Sequence, residues 1–192
     1  MRIGLNITSI ALRAIDVIFL YNNLMKLGKK ILIVGVSAAG KSTFARKLSE
    51  KTGISVTFMD AVMWNPGWEY IGDEQTVQEL KKITQQDEWI IEGYITKTAR
   101  TFLFELADTI IYLDYSPFVA SCRYLYRCCK NRKLPREELP GSPDRFKLKT
   151  LKLIYTKGEV VSLSRFLEES SVKDKVIRLN SPLKTKDFLS QI

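Results

Sequence analysis

The chain has 192 residues, 45% of them hydrophobic and 27% charged, which excludes a disordered or collagen-like protein and suits one globular domain with its own core. The formal net charge of +9 favours a polyanionic partner: nucleotide phosphates, nucleic acid or an acidic membrane surface. Histidine is absent from the sequence, which excludes a His-based catalytic triad, a His metal ligand and a His pH switch.

Residues 1–28 precede the regular pattern of the chain and form a candidate N-terminal extension. Within it, ITSIALRAIDVIFLYNNLMKL (7–27) is amphipathic and interrupted by Arg13 and Asp16, which argues against a secretory signal. Met25 stands in MKLGKKILIVG, where the domain pattern begins. The extension is either a helix added to the domain or the product of an upstream start codon, and a membrane-surface helix is a third alternative. We expect a single domain over 29–192.

The stretch LIVGVSAAGKST (32–43) contains the phosphate-binding pattern G-x-x-x-x-G-K-[ST], also called Walker A. It follows a predicted strand and opens a predicted helix, so backbone N–H groups at the positive end of that helix can hold phosphate oxygens. Lys41 is expected to reach the outer phosphates, and the Ser42 hydroxyl to ligate Mg²⁺. The predicted nucleotide-binding residues of the loop are Gly35, Ser37, Ala38, Ala39, Gly40, Lys41, Ser42 and Thr43.

From residue 30 onward, short β-branched runs alternate with longer helical patterns, which predicts an α/β fold around a parallel sheet. The predicted strands are Ile31–Gly35, Ser55–Asp60, Trp89–Gly93, Thr109–Asp114 and Lys175–Leu179. The predicted helices are Ser42–Lys51, Asp73–Gln86, Thr98–Leu106, Ser116–Asn131, Pro143–Glu169 and Thr185–Ser190. Proline and glycine predict loops at 65–68 and 134–143.

Three predicted strands end in an acidic residue, namely Asp60, Glu92 and Asp114. Ligands of open parallel sheets gather beyond the carboxyl ends of the strands. Each of these side chains is therefore a candidate to hold a metal ion through water or to orient an attacking hydroxyl, and the alternative for each is a helix cap or a surface charge. We assign Ser42 and Glu92 as the candidate metal ligands.

The positive charge is concentrated between residues 121 and 157, which hold eleven Lys or Arg and three acidic residues. Arg123 and Arg127 are four residues apart on a predicted helix and so project from one face. Planar, permanently charged guanidinium groups suit a phosphoryl group in transfer, and the alternative is a solvated helix surface. The candidate catalytic residues are Lys41, Asp60, Glu92, Arg123 and Arg127.

The same predicted helix carries the three cysteines, Cys122, Cys128 and Cys129, without a C-x-x-C pair. This favours packing residues in a reducing cytosol over a zinc or redox site. No apolar run approaches the ~20 residues that a membrane span needs. We therefore expect a cytoplasmic protein without a transmembrane segment.

The spacing from Asp114, in Asp-Tyr-Ser-Pro, to Arg123 and Arg127 resembles P-loop small-molecule kinases of the adenylate-kinase and shikimate-kinase type. This resemblance implies a three-layer fold with a five-stranded parallel sheet in the order 2-3-1-4-5. It also implies a helical lid, placed at about 128–145. By the same resemblance, the adenine site uses the loop after the last strand, and so includes Asn180.

More closely, FMDAVMWNPGW (58–68), DEWIIEGYI (87–95), ADTIIYLD (107–114) and the Ser-Pro at 142–143 resemble bacterial proteins known as DNA topology modulation proteins. Such proteins usually carry Asp-Gly-Asn-Tyr-Ser-Arg where this chain has Glu-Gly-Tyr-Ile-Thr-Lys at 92–97, a difference on the predicted acceptor side. Trp64 and Trp68 match the Trp-x-x-x-Trp of that family. They either line an acceptor pocket or pack around the turn between them.

These features predict a Mg²⁺-dependent phosphotransferase with the architecture of a nucleoside-monophosphate kinase, using ATP or GTP and a small acceptor. The alternative is a nucleotide-dependent protein that binds DNA or regulates its topology, which the basic segment and the second resemblance favour. The sequence contains no zinc finger, RNA-recognition aromatic motif or convincing helix-turn-helix.

Overall fold

A computed structural model describes residues 27–130, 135–136, 138–143, 146–156 and 161–192. Residues 1–26 of the expected extension lie outside the described residues. Two short hairpins accompany the main parallel sheet: β3 (Trp64–Asn65) pairs with β4 (Glu69–Tyr70), and β7 (Pro135–Arg136) with β8 (Leu139–Pro143). The main sheet contains β1 (Lys30–Gly35), β2 (Val56–Phe58), β5 (Trp89–Glu92), β6 (Thr109–Leu113) and β9 (Val176–Leu179).

The five strands of the main sheet lie in the order β2-β5-β1-β6-β9, all parallel. Counted along the chain, this is the expected 2-3-1-4-5 order, which is confirmed together with the α/β fold class. Every residue of β5 and β6 is buried, and successive residues of a strand face opposite sides of the sheet. Both faces are therefore covered, which explains why these strands have near-continuous apolar sequences.

Eight α-helices form in the described residues, and they correspond to the predicted helical patterns with three differences. The short helix Met59–Met63 is absent from the prediction, which places its first two residues at the end of the strand Ser55–Asp60, whereas the observed strand ends at Phe58. The helices are α1 (Lys41–Thr52), α2 (Met59–Met63), α3 (Asp73–Ile83), α4 (Lys97–Leu106), α5 (Pro117–Lys130), α6 (Leu148–Tyr155), α7 (Val161–Glu169) and α8 (Pro182–Gln191). None of them is long and apolar enough to cross a bilayer. α8 begins earlier than predicted, because Ser181 caps it through Lys184 N–H and Pro182 occupies its first turn.

The largest difference concerns the segment predicted as one helix from Pro143 to Glu169. That prediction is wrong: Pro143 ends strand β8, and α6 and α7 are separate helices. The apolar periodicity continues through both helices and obscured the break between Tyr155 and Val161. The loop predicted at 134–143 contains the β7–β8 hairpin, whose strands are too short and too rich in proline to give a strand pattern.

Two further expectations concern α5 and the residues after it. The described residues within the range 128–145 are the end of α5, through Lys130, and the β7–β8 hairpin, and the helical lid placed there stays a prediction. Of the cysteines expected to pack, Cys128 is buried, whereas Cys122 and Cys129 are exposed. These two are seven residues apart and share the solvent face of the helix.

Candidate active site

The phosphate-binding loop joins β1 to α1 at the carboxyl edge of the sheet, and its backbone leaves no room for a side chain at Gly35. A Cβ atom there would lie 2.5 Å from the Leu113 carbonyl oxygen of the neighbouring strand, and its φ is 150°. The loop then turns through Ala38 (φ 63°) and Gly40 (φ 93°) into α1. Gly40, Lys41, Ser42 and Thr43 line a cleft of about 1220 Å³. The first N–H groups of a helix have no partner within it, and such a helix start at an open cleft is suited to hold an anion.

Lys41 and Ser42 meet Glu92 at the end of β5, beside the loop. The Lys41 ammonium donates a hydrogen bond to the Val36 carbonyl oxygen at 3.2 Å, which holds the side chain against the loop. The Ser42 hydroxyl and the Lys41 charge both act on the Glu92 carboxylate and oppose the rise of its pKa, and all three side chains line the cleft. The predicted phosphate-binding and metal-binding groups are therefore brought together.

Glu92 is only 5% exposed, and burial is the main reason that the pKa of its carboxyl is raised above the ordinary value. The carboxylates of Asp60 and Glu138 raise this pKa further, whereas Lys41 and Ser42 oppose the shift. A positive charge bound beside Glu92 would hold it ionised.

These residues fit a bound Mg²⁺ ion. Mg²⁺ is commonly held through one or two carboxylates together with substrate phosphates, and the Ser42 hydroxyl and the Glu92 carboxylate supply two oxygen donors next to the phosphate loop. The described residues contain no group of three or more Cys, Asp or Glu side chains arranged as metal ligands. The fit therefore rests on this pair, with phosphate oxygens completing the coordination.

The three carboxylates that were predicted at strand ends do not all reach the cleft. Glu92 and Asp60 line it, and Asp60 is half-buried in the first turn of α2. Asp114 lies outside the lining and is bound elsewhere: its carboxylate is 3.8 Å from Nε of Arg178 and accepts a hydrogen bond from the Tyr112 hydroxyl at 3.3 Å. The expectation that Asp114 is a third candidate at this site is not met.

Arg123 and Arg127, on α5, both line the cleft, as their spacing predicts. Nη1 of Arg123 donates a hydrogen bond to the Ala39 carbonyl oxygen of the phosphate loop at 2.7 Å, and its guanidinium lies 5.1 Å from the Tyr115 ring centroid. The guanidinium of Arg127 is 5.8 Å from the Tyr124 ring centroid. Both guanidinium groups are thus supported by aromatic rings.

Two residues predicted to bind nucleotide, Gly35 and Asn180, are outside the cleft lining. Gly35 serves the close approach of β1 to β6 described above, and Asn180 is exposed between β9 and α8. Near Asn180, the residues that line the cleft are instead Pro182, Thr185 and Lys186 at the start of α8. The Thr185 hydroxyl is hydrogen-bonded to the Tyr115 hydroxyl at 2.6 Å.

The opposite side of the cleft is aromatic. Trp64 and Trp68 flank the β3–β4 turn, both line the cleft, and their rings are 5.9 Å apart in an edge-to-face arrangement. Tyr94, which follows β5, also lines the cleft and is 46% exposed. The two rings contact one another and also border the cleft, and their role in an acceptor pocket stays a prediction.

The β7–β8 hairpin and the residues after it close this aromatic side, and the sequence pattern did not indicate their contribution. Ser142 is fully buried, and its hydroxyl oxygen accepts hydrogen bonds from Gly67 N–H at 2.9 Å and Trp68 N–H at 3.3 Å. The Lys147 ammonium lies 5.9 Å from the Trp68 ring centroid and also lines the cleft. The only sequence signal was the Ser-Pro dipeptide at 142–143.

A second contact joins the hairpin segment to α1. The Glu138 carboxylate accepts a hydrogen bond from Nη2 of Arg46 at 2.7 Å, and the Arg46 guanidinium lies 5.0 Å from the Phe58 ring centroid. Glu138 lines the same cleft as Glu92. The predicted lid region is therefore bonded both to the helix after the phosphate loop and to the tryptophan turn.

The architecture is similar to that of solved kinases. A shikimate kinase from Bacteroides thetaiotaomicron superposes with a TM-score of 0.56 at 13% identity, over 84% of this chain and 94% of that chain. The chain shares the P-loop kinase fold. A gluconokinase from Sinorhizobium meliloti 1021 gives 0.51 at 16% identity, over 86% and 94% of the chains. A sugar kinase from Janibacter sp. HTCC2649 gives 0.50 at 17% identity, over 86% and 92%.

No family model and no curated protein matches the sequence. The likeness to the three kinases is one of fold, since the sequence identities are low. What the site itself does has to be argued from the residues that line the cleft.

Proposed function

We propose that the protein is a phosphotransferase that moves the γ-phosphoryl group of ATP or GTP to a hydroxyl group of a small acceptor, with Mg²⁺ bound to the donor. The observation that carries this proposal is the meeting of Lys41, Ser42 and Glu92 at a phosphate loop whose cleft continues into a second, aromatic compartment. A nucleotide switch needs only the first of these two compartments. The names of the structural neighbours, a shikimate kinase and a gluconokinase, support a kinase.

In the proposed reaction the acceptor oxygen forms a bond to the γ-phosphorus while the bond from that phosphorus to the β–γ bridging oxygen breaks. The acceptor proton passes to the Asp60 carboxylate, and a nucleoside diphosphate leaves. Lys41, Arg123 and Arg127 neutralise the charge that spreads over the transferred oxygens. Bound Mg²⁺ supplies further neutralisation of the phosphate charge, and Ser42 and Glu92 are the side chains that would hold it.

The hairpin gives the cleft a wall between the donor and bulk water. Excluding water matters in a phosphotransferase because water otherwise competes with the acceptor for the phosphoryl group. The Arg46–Glu138 ion pair and the Ser142 hydrogen bonds hold the described part of the hairpin against both flanks of the cleft. Hydrolysis of nucleotide without acceptor is therefore expected to be slow.

The test is direct. The protein is incubated with Mg²⁺ and with ATP or GTP labelled at the γ-phosphate, together with nucleosides, nucleotides, sugars and hydroxy acids, and products are separated for label. A labelled acceptor that is not formed by a Lys41→Ala variant supports the proposal. The proposal fails if no acceptor is labelled while the protein binds nucleotide normally.

The DNA-related alternative keeps one observation in its favour, the exposed lysines of α6, Lys149 and Lys152. Three other members of the basic segment, Arg123, Arg127 and Lys147, line the cleft instead. This division allows the two functions to be tested with separate variants.

A further inference from the structure

The aromatic compartment carries information on the acceptor, and the following inference rests on the proposed function. In the sheet, β2 and β5 lie on one side of β1, and β6 and β9 lie on the other. Trp64 and Trp68 follow β2, and Tyr94 follows β5, whereas the α8 residues that line the cleft follow β9. The phosphate loop after β1 therefore separates the aromatic compartment from the α8 side.

We infer that this compartment binds an acceptor with a flat conjugated ring and an anionic group, in addition to the hydroxyl that receives phosphate. Trp64 and Trp68 are half-buried and border the cleft rather than being enclosed in the core. Packing alone does not require two large rings at the edge of an open cleft. Aromatic faces at such a position favour a ligand with its own flat ring, through stacking.

The backbone of Trp68 supports a binding role. Its φ of 66° lies in the left-handed region, which a bulky residue rarely adopts. The buried Ser142 hydroxyl holds this conformation by accepting the N–H groups of Gly67 and Trp68. Strained backbone that is held by surrounding hydrogen bonds is typical of ligand sites, and here it sets the direction of an indole ring.

The anionic group is inferred from Lys147. Its backbone is held by Tyr124, whose hydroxyl accepts the Lys147 N–H at 2.8 Å and donates to the Lys147 carbonyl oxygen at 3.3 Å. The ammonium group consequently lies over the Trp68 ring and at the cleft. Arg46, on the same side, is bonded to Glu138, so the Lys147 charge is placed for the ligand that stacks on Trp68.

Asp60 lines the same cleft, where its carboxylate can accept a hydrogen bond from the reacting hydroxyl. Ring, anion and hydroxyl together describe two chemical sources, a nucleoside monophosphate and an aromatic hydroxy acid. A sugar acid supplies the anion and the hydroxyl without the ring. A nucleoside supplies the ring and the hydroxyl without the anion.

Tryptophan fluorescence reads this binding without any turnover. The chain has three tryptophans, and Trp89 is buried in the sheet at 1% exposure, so it gives a constant background. The probes are the nucleoside monophosphates UMP, CMP, AMP and GMP with the corresponding neutral nucleosides, the acid mandelate with its neutral amide mandelamide, and gluconate, all without ATP. We expect at least one probe with both ring and anion to quench the emission, and to bind about tenfold more tightly than gluconate and than its neutral counterpart.

Variants assign the effect to the compartment. Trp68→Ala should remove most of the quenching and weaken the binding of the ring-bearing anion, and Trp68→Phe should restore the binding, which is then measured by calorimetry. Lys147→Ala should weaken the binding of the charged probe by about tenfold and leave the neutral counterpart unchanged. Lys149→Ala, a matched exposed lysine outside the cleft lining, should change neither.

The inference is overturned if no probe with both ring and anion binds more tightly than its partners that lack one of these groups. It is also overturned if Lys147→Ala and Lys149→Ala behave alike. The proposed function can fail separately: a ring-bearing anion that binds at the tryptophans but is never phosphorylated contradicts the kinase, whereas phosphorylation of gluconate without binding of any ring-bearing anion contradicts only the acceptor class.

Discussion

The two halves of the cleft are built in different ways. The phosphate loop is formed mainly by backbone. It follows β1, the central strand of the sheet, whose inner four residues are buried, it begins at Gly35, where the neighbouring strand leaves no room for a side chain, and it leads into α1. The aromatic compartment is built from side chains on short elements, namely a five-residue helix, two-residue strands and the β7–β8 hairpin. The first half suits one ligand group, phosphate, and the second can change its ligand by changing a few side chains.

This difference teaches where substitutions act. We call the phosphate-loop side of the cleft the donor half and the aromatic compartment the acceptor half. Every residue except proline supplies a backbone N–H group, so the donor half depends on few side chains, chiefly Lys41, Ser42 and Glu92. The acceptor half depends on each ring and charge that faces it, and on Ser142, which ties the hairpin to the tryptophan turn. We expect substitutions in the donor half to abolish turnover and those in the acceptor half to alter the acceptor KM.

The largest effect is expected for Lys41→Ala. Removing the ammonium that we propose to contact the outer phosphates should lower turnover by at least about 100-fold, because it removes charge stabilisation in the transition state. Circular dichroism should show an unchanged fold, since the lost contact to the Val36 carbonyl is peripheral to the core. Lys82→Ala, on the exposed surface of α3, is the control for loss of a positive charge. Normal turnover by Lys41→Ala would show that the loop is not a donor site.

Asp60 and Glu92, the two acidic residues to which we assign roles in the reaction, should have different effects when substituted. Glu92→Gln keeps the shape but removes the charge beside Ser42, and we expect turnover to fall by about 100-fold with a smaller loss of nucleotide affinity without metal. Asp60→Asn removes the proposed general base, so turnover should fall by about 100-fold or more, whereas its dependence on Mg²⁺ should stay unchanged. A Mg²⁺ titration of both variants is the measurement. If Asp60→Asn shifts the Mg²⁺ requirement and Glu92→Gln does not, the two roles are exchanged.

Arginine-to-lysine changes test whether the cleft needs the shape of the guanidinium groups or only their charge. Arg123→Lys and Arg127→Lys keep the charge but lose the planar fork, the aromatic contact and, for Arg123, the hydrogen bond to Ala39. We expect turnover to fall by about tenfold or more for each, measured on any accepted substrate.

The same variants separate the kinase from the DNA-related alternative. When a protein binds DNA through backbone phosphates, its affinity depends on the number of positive charges. Arg123→Lys and Arg127→Lys would then leave the DNA affinity nearly unchanged. Lys149→Ala and Lys152→Ala would weaken the DNA affinity and reduce its dependence on salt. Affinity measured across salt concentrations gives the slope. Sequence-selective DNA binding that requires these lysines, combined with turnover that tolerates both arginine changes, would contradict the kinase.

Ser142→Ala tests whether the hairpin supports the acceptor half alone. The change leaves the N–H groups of Gly67 and Trp68 without their acceptor, at a cost of about 1–3 kcal/mol, so we expect the acceptor KM to rise several-fold. The nucleotide KM should stay the same, because the phosphate loop does not contact Ser142. Steady-state kinetics with each substrate varied in turn gives both values. An equal rise in the two KM values would mean that the halves are not independent.

The smallest effect is on stability and concerns the buried Glu92. Its pKa is raised in the folded protein, so the folded state binds the proton more tightly than the unfolded state. Unfolding free energy therefore falls as the pH rises from the ordinary Glu value, 4.5, through the raised one. Glu92→Gln should thus melt a few degrees higher than the parent at pH 8 without nucleotide, and this difference should vanish at pH 4. Thermal melts at both pH values check it, and a constant difference would contradict it.

Local patterns were sufficient for the sheet and the donor half. Buried parallel strands need continuous apolar runs, and the phosphate loop needs glycine at a close approach of two strands, so both leave short-range marks such as Ile31–Gly35 and the Gly40-Lys41-Ser42 triplet. The order of the strands came from the family resemblance, and Arg123 and Arg127 from helical spacing. The prediction of one helix from Pro143 to Glu169 failed because the apolar periodicity continues through two separate helices, α6 and α7, and Pro143 belongs to strand β8.

The sequence by itself determined the phosphate-loop motif and the five strands of the main sheet, because each depends on residues within one β–α unit. Only the tertiary structure decided which carboxylates reach the cleft, since Asp114 is drawn to Arg178 on the neighbouring strand. It also decided the acceptor half, where Ser142 bonds to Gly67 across 75 residues of chain and Lys147 meets Trp68. Contacts between distant short segments leave no periodic trace, because the position of each segment is set by the packing of the whole domain.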